Sequence, residues 1–406
     1  MITTAMLRKS NMLNILKIVK KFGPVTRPEI AHHTKLTNVT VNTLVTELMK
    51  NCIVTEEGLT TSSGGRKAMQ YRFNSSAYYI IGVTMRITRV SIDLYDLGAN
   101  RVKEGLAVSL EFGRSVEDII SEMVSSIKAL TMSTPSVEIL GIGVAVPGRV
   151  DHKRGVIYHL PNLVDWVNIP LKGILEDKTG LPTFIERDVN SHLAYLKWLD
   201  VVEYENDVVY FDVEEGIGGS LLMDGIVHHG VHGLAGEIGH TTLNPDGSLC
   251  NCGNYGCAET YISHRALLQY YREALELIGE TLRYKTLKER ASSEKDQIRF
   301  LVRLAEEGDG VAQSVFVQAS KYVVALILNI INTYDPALIV IECMWLKQNR
   351  FYFDKIVSEV FKRTLLLDRN DIKIMLNPVE NIYNESSSTI VMEHLFTDIN
   401  NNRFIR

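Results

Sequence analysis

Two stretches of this chain share a texture that leaves few folds open to it. In the first, Tyr79-Ile80-Ile81-Gly82-Val83 leads into Val90-Ser91-Ile92-Asp93-Leu94-Tyr95-Asp96; in the second, from Asp207 to Met223, a strand again meets a glycine-rich turn and returns. Helical periodicity follows both, over Val116 to Leu130 and over Lys321 to Asn332. Each helix feeds a short apolar run, Ile139 to Val146 and Leu338 to Ile341, that reads as a buried strand. Strands alternating with helices indicate an α/β body, here given twice. At 406 residues and 46% hydrophobic, the chain can bury two or three cores. The segment from Glu276 to Gly308 is charged and helical by period, and reads as surface.

The first 75 residues have a different character. Met12, Leu13, Ile15, Leu16, Val19 and Phe22 recur at helical spacing, and Gly23-Pro24 stops that helix. A second helix starts at Thr26, which forms a capping-box pattern with Glu29, and turns Ile30 and Ala31 inward. Thr37 or Asn38 caps a third, whose buried face is Val41, Leu44, Val45, Leu48 and Met49. Asn38, Thr40, Asn42, Thr43 and Thr46 are left outside, a short, uncharged face rich in hydrogen-bonding groups. That is what a major-groove reader needs, because base edges offer donors and acceptors that Asn and Thr can match. Any small helical bundle shares the inward pattern, so the sequel matters. Ile53-Val54 opens a strand, Ser62 to Lys67 is a flexible basic tip, and Met69 to Phe73 returns, which makes a wing with Arg66 and Lys67 placed to meet phosphates or the minor groove.

Charge follows the same division. Eleven Lys and Arg against four Asp and Glu give residues 1–75 a balance of +7, so the rest must carry −12 to reach the total of −5. A basic head on an acidic body suggests that the head alone meets a polyanion; a solvated charged surface is the plain alternative.

His240, Cys250, Cys252 and Cys257 bring one imidazole and three thiols together, with nine, one and four residues between successive members. Their number and softness suit tetrahedral Zn²⁺ with no open position, hence a structural site, with Gly253 and Gly256 allowing the tight loop. Cys52 and Cys343 read as small core residues. Glu237 lies three residues before His240 and Glu259 two after Cys257, so a metal would fix the loop that presents two carboxylates.

Val146-Pro147-Gly148-Arg149-Val150, Pro161-Asn162-Leu163 with Trp166, Gly236-Glu237-Ile238-Gly239-His240, and Cys250 to Glu259 stand in the order seen in the ROK family of repressors and sugar kinases, which the chain resembles from its head almost to its C-terminus. The resemblance implies an α/β actin-like or hexokinase-like two-lobed ATPase fold, here behind an N-terminal winged helix-turn-helix domain. The domains are then 1–75, the DNA-binding head, and 77–406, the sugar-kinase-like region with its zinc loop at about 236–259. It further implies that Glu237, His240 and Glu259 contact sugar, that Asp188 stands where the kinases have their base, and that Asn162 and Gly148 belong to the sugar site. In Glu186-Arg187-Asp188-Val189-Asn190 the family has Asn where Arg187 stands. Arg187 there either pairs with Asp188 and lowers its basicity or recognises an anionic sugar such as a sugar phosphate.

Against the family's nucleotide site the chain departs three times. Thr84-Met85-Arg86-Ile87-Thr88 replaces a first phosphate loop with Asp and paired Gly, Glu214-Glu215-Gly216 replaces Gly-Thr-Gly, and Glu342-Cys343-Met344 replaces the glycine-rich adenosine end. No ATP is expected to bind and no catalytic residue to operate, with Asp188 a relict base. The expectation is a sugar-responsive repressor of carbohydrate-utilisation genes, with structural Zn²⁺, operator DNA and a sugar or sugar-phosphate inducer as partners. It is a homodimer, or a tetramer, and the sugar is glucose, N-acetylglucosamine, xylose or a relative. The alternatives are an active ROK-type sugar kinase with a DNA-binding head, and a repressor controlled by a protein partner. The longest apolar stretch, Tyr322 to Ile331, has about half the length of a bilayer span, and no basic-then-apolar leader is seen, so the expected location is cytoplasmic without membrane insertion.

Overall fold

The computed structural model describes residues 4–60, 67–110, 114–161, 163–202, 207–291, 293–365, 368 and 371–397. The expected positions Arg66 and Asn162, and residues 62–66 of the wing tip, lie outside them. The chain forms two compact units, Met1–Asp200 with Asn381–Arg406, and Val201–Glu380.

The first unit opens with three helices and a small sheet. Helix α1 (Thr4–Phe22) buries Met12, Ile15, Leu16 and Val19, while Phe22 remains 44% exposed and stacks on His33 at a ring separation of 4.5 Å. Helix α2 (Arg27–Thr34) starts at the expected cap: the Thr26 hydroxyl accepts from the Glu29 N–H, while the Thr26 backbone N–H at 2.7 Å and the Thr26 hydroxyl at 2.8 Å both donate to Glu29 Oε2 and hold that carboxyl below its usual range. Helix α3 (Asn38–Lys50) is capped by Thr37, which accepts from the Thr40 N–H at 3.2 Å, and buries Val41, Leu44, Val45 and Leu48. Strand β1 (Val25–Thr26), β2 (Val54–Leu59) and β3 (Met69–Phe73) make an antiparallel sheet in the order β1-β3-β2, with Val54 opposite Phe73 and Leu59 opposite Met69. The winged helix-turn-helix reading therefore holds in its helices and both wing strands. Cys52 departs from expectation. It is exposed and sits just after α3 with φ +57°, a turn residue rather than a core one.

Behind the head, a sheet runs in the order Thr183–Arg187, Ile139–Val146, Tyr79–Met85, Arg89–Asp96, Arg101–Glu104, with Val108–Ser109 paired to Arg89–Asp96. The first three strands are parallel neighbours and the next two antiparallel. The helix Val116–Met132 buries Ile119, Met123, Ile127 and Leu130 as its period required. In the second unit the sheet order is Ile226–Val227, Ile217–Met223, Val208–Val213, Leu338–Cys343, Lys373–Leu376. Both sheets combine an antiparallel hairpin with parallel partners, the architecture that the doubled sequence pattern implied.

Two segments are more deeply built in than their sequences suggested. Within 276–308, the helix Glu294–Glu306 buries Ile298, Leu301, Val302 and Ala305, so it is part of the core rather than a surface decoration. The apolar run 322–331 belongs to a 25-residue helix, Gly310–Tyr334, long and apolar enough to cross a membrane by those criteria alone. Here it is a core helix: Val315, Phe316, Ala319, Val323, Ile327 and Ile330 are buried within the second unit's hydrophobic cluster.

Candidate metal centre, sugar-facing groups and DNA-facing surface

The four soft ligands converge. His240 ends the short turn Ile238–His240, and the cysteines sit on a loop closed by backbone bonds from Cys250 N–H to Asn254 O (2.8 Å), Gly253 N–H to Cys250 O (2.9 Å) and Gly256 N–H to Ser248 O (2.8 Å). Gly256 is required there: its φ is +64°, and a Cβ would lie 1.6 Å from the Asn244 carbonyl oxygen. All four ligand atoms lie within 4.8 Å of one another, with Cys250 Sγ 3.7 Å from His240 Nδ1 and Cys252 Sγ 3.7 Å from Cys257 Sγ. A tetrahedral zinc with Zn–S of about 2.3 Å sets its sulfurs about 3.8 Å apart, so this donor set could hold such an ion. The thiols respond differently to the loop. Burial pushes Cys257 up to about 12 and raises Cys250, whereas the Asn254 backbone N–H lowers Cys252. A divalent metal would offset the burial that disfavours the thiolates of Cys250 and Cys257.

Two carboxylates flank this loop. Glu237 Oε2 lies 4.0 Å from His240 Nε2, the ring nitrogen facing away from the sulfurs, and both side chains are about one-third exposed. His240 thus presents Nδ1 to the metal site and Nε2 to a partly open carboxylate. Glu259 is held at both ends: Oε2 accepts from the Ile217 N–H at 3.2 Å and Oε1 stands 4.0 Å from Cys250 Sγ. It connects the metal loop to the start of the strand Ile217–Met223.

On the first unit, parallel pairing gathers the other expected sugar-site residues. Arg187 is in register with Val146, so Gly148, Arg187 and Asp188 all lie at the carboxyl ends of neighbouring strands, where α/β sheets place ligands. Asp188 begins the helix Asp188–Trp198, and its Oδ1 accepts from the Val189 N–H at 2.8 Å; Arg187 is buried. Gly148 has φ +113°, and a Cβ would meet the His159 carbonyl at 2.6 Å, so close packing alone demands glycine.

Parallel pairing also unites two of the segments expected to depart from the family's nucleotide-site pattern. Val213 is opposite Cys343, which places Glu214-Glu215-Gly216 beside Glu342 and Met344. Glu214 and Glu342 are internally neutralised: Glu214 Oε1 pairs with Lys295 Nζ at 2.6 Å, and the buried Glu342 Oε2 takes Lys347 Nζ and Asn377 Nδ2, each at 2.6 Å. In the other unit, Thr84 donates to Ser387 Oγ at 3.0 Å, and the turn after it closes through Arg86 N–H to Arg89 O at 2.8 Å.

The outward face of α3 is as expected, with Asn38, Asn42, Thr43 and Thr46 exposed and Thr40 half-buried; Lys67 is exposed. Sequence reasoning missed three residues. Arg27 Nη1 donates to Asn42 Oδ1 at 3.2 Å and its guanidinium lies 5.0 Å from the Tyr71 ring centre, so it joins the α3 face to wing strand β3. Val39, 75% exposed, stands among the polar residues of that face. Lys20 reaches from α1 to the far end of the Asp188 helix: it donates to the Trp198 carbonyl and pairs with Asp200 Oδ2 at 2.9 Å. A basic residue directly after a helix cap was the available clue to Arg27. Nothing local foretold Lys20.

The ROK family profile matches residues 100–396. The xylose repressor of Caldicellulosiruptor bescii is 27% identical over 377 residues, 92% of this chain and 93% of that one. The glucokinase of Thermotoga maritima is 28% identical over 263 residues, only 64% of this chain though 80% of the enzyme. Among solved structures, a ROK family transcriptional regulator homologous to the Escherichia coli Mlc protein has the same fold, with a TM-score of 0.78, 22% identity, and coverage of 96% of this chain and 97% of that one. The two-lobed actin-like fold with a head before it is therefore shared over nearly the whole length.

Proposed function

The chain belongs to the ROK family, and from that premise we propose that it is a sugar-responsive transcriptional repressor of carbohydrate-utilisation genes. The observation that carries this reading is the joining of a helix-turn-helix head, whose uncharged α3 face is exposed, to a body whose likeness to repressors extends through that head. Zn²⁺ bound by His240, Cys250, Cys252 and Cys257 is structural, since four protein ligands leave no open position. It fixes Glu237 and Glu259, which accept from sugar hydroxyls, and leaves the His240 Nε2–H to donate to a sugar oxygen; on the first unit the proposed sugar-binding residues are Gly148, Asn162, Arg187 and Asp188. DNA is met by Asn38, Thr40, Asn42, Thr43 and Thr46 in the major groove and by Arg66 and Lys67 on the backbone or in the minor groove.

The protein is not a kinase in this reading. The Thr84–Thr88 segment lacks an acidic residue, and Glu214 and Glu342, locked in ion pairs, stand where phosphates and nucleotide require glycine. It acts in the cytoplasm as a homodimer on a two-fold operator.

A physical route from sugar to head lies within the first unit. The helix Asp188–Trp198 is buried from Val189 onward, about 16 Å long, with Asp188 at one end and the Trp198–Lys20 contact at the other. A sugar that engages Asp188 shifts a rigid element to which α1 is attached. The sugar must favour the arrangement that binds DNA poorly, because equal affinity for both arrangements shifts nothing.

The test is operator binding by the purified protein, on a duplex selected from a random pool, across xylose, glucose, N-acetylglucosamine and their phosphates, with ATP hydrolysis followed in parallel. Release by one sugar without ATP turnover establishes the reading. An unchanged operator affinity at saturating sugar refutes it, and phosphorylation of the sugar establishes the kinase instead.

A further inference from the structure

The exposed face of α3 is more specific than its polar composition suggests. Val39 lies in the first turn, where recognition helices meet base edges, and at 75% exposure it is the most solvent-exposed large apolar side chain described in the head. One turn on, Thr43 donates its hydroxyl to the Val39 carbonyl at 3.0 Å, and Thr46 donates to the Asn42 carbonyl at 2.8 Å. Their hydroxyl hydrogens are consumed within the helix, so Thr43 offers a methyl group and acceptor lone pairs to anything outside. Val39 and Thr43, four apart, share one strip of the helix surface, and their branched methyl groups make it apolar.

Beside that strip is Asn42, three residues after Val39. Arg27 Nη1, steadied against the Tyr71 ring, holds the Asn42 Oδ1 at 3.2 Å, which turns the amide nitrogen outward as a donor. The surface therefore offers a methyl-lined patch next to an N–H donor. In the major groove one base edge complements that pair: thymine presents its 5-methyl group beside the O4 acceptor. Cytosine fails twice, lacking the methyl and turning an N4 donor toward the Asn42 donor.

We infer that Val39 is a base-reading residue that selects a thymine in each operator half-site, packing on its 5-methyl group while the Asn42 amide donates to the same base edge. The inference rests on the DNA-binding reading above. It goes beyond it by assigning sequence preference to a residue with no polar group and to Arg27, a positioning residue that acts through Asn42.

The probe is the duplex enriched from a random pool by the full-length protein. At each enriched thymine, uracil replaces thymine in turn, which removes only the methyl group, and affinity is measured for the unaltered protein and for Val39→Ala. Val39 is exposed, so the variant should keep its fold, which an unchanged melting temperature checks. At one thymine per half-site, uracil is expected to weaken binding roughly four-fold, the worth of one buried methyl group, and Val39→Ala is expected to lose that discrimination. With guanine placed opposite, 5-methylcytosine at that position restores the methyl but reverses the donor pattern, and should bind worse than uracil. A uracil penalty that is absent everywhere, or equally large in Val39→Ala, overturns the inference while leaving DNA binding intact. Failure to enrich any sequence removes instead the reading beneath it.

Discussion

Lys20 and Asp200, 180 residues apart in the chain, are joined by an ion pair of 2.9 Å between Nζ and Oδ2. The same ammonium donates to the Trp198 carbonyl and lies 4.9 Å from the Trp198 ring centre, while Phe73 of the wing strand meets that ring edge-on at 6.3 Å and the indole N–H donates to the Leu97 carbonyl at 3.0 Å. One lysine and one tryptophan thus fasten the head to the buried helix that begins at Asp188.

Lys20→Met should cut this attachment and keep most of the aliphatic packing. The pair is partly buried, so the expected loss of stability is about 1 kcal/mol, read from the urea midpoint. Operator affinity without sugar should change little, but the ratio of affinities without and with sugar should fall toward one. A variant that still releases fully would show that the signal travels elsewhere.

Metal removal has a separate signature. The native protein should contain one zinc per chain by elemental analysis, and Cys257→Ser should abolish it. The loop from His240 to Cys257 then loses its centre, at a cost of about 3 kcal/mol and a Tm lower by roughly ten degrees.

The two flanking carboxylates should behave differently. Glu237 lies 4.0 Å from His240 Nε2 and is partly open, so Glu237→Ala should weaken sugar binding by about ten-fold or more with zinc content unchanged. Glu259 also accepts from the Ile217 N–H, so Glu259→Ala should lose both sugar affinity and about 1–2 kcal/mol of stability. Calorimetric titration with the inducing sugar, beside urea unfolding, separates the two.

His264 makes stability depend on pH. It is fully buried, neither ring nitrogen has a hydrogen-bond partner, and burial lowers its pKa to about 4, with nearby Glu214 opposing and Lys295 assisting the shift. The unfolded chain takes up a proton near pH 6.5 that the folded chain refuses. Stability from this residue is therefore complete above pH 6.5 and lost as pH falls toward 4, by an amount on the order of 3 kcal/mol. Urea midpoints at pH 7.5 and 5 should differ less in His264→Leu than in the native protein.

What could be read from the chain by itself was what local chemistry decides. The Thr26–Glu29 capping box, the convergence of His240, Cys250, Cys252 and Cys257 into a group able to hold a metal, and the burial of Val41, Leu44, Val45 and Leu48 depend on residues close in the chain, and all stand as the sequence implied. The doubled strand pattern likewise predicted both sheets, because a strand buried on both faces must be apolar throughout. Pairings across long stretches were beyond it. That Glu214 is met by Lys295, that Arg187 lies level with Val146, that residues 294–306 belong to the core, and that Lys20 finds Trp198 and Asp200 are settled by how distant segments pack. A charged side chain has no periodicity that names its partner. Only the folded chain, by bringing remote backbone into register, determines which charge neutralises which, and so which helix the DNA-binding head rests upon.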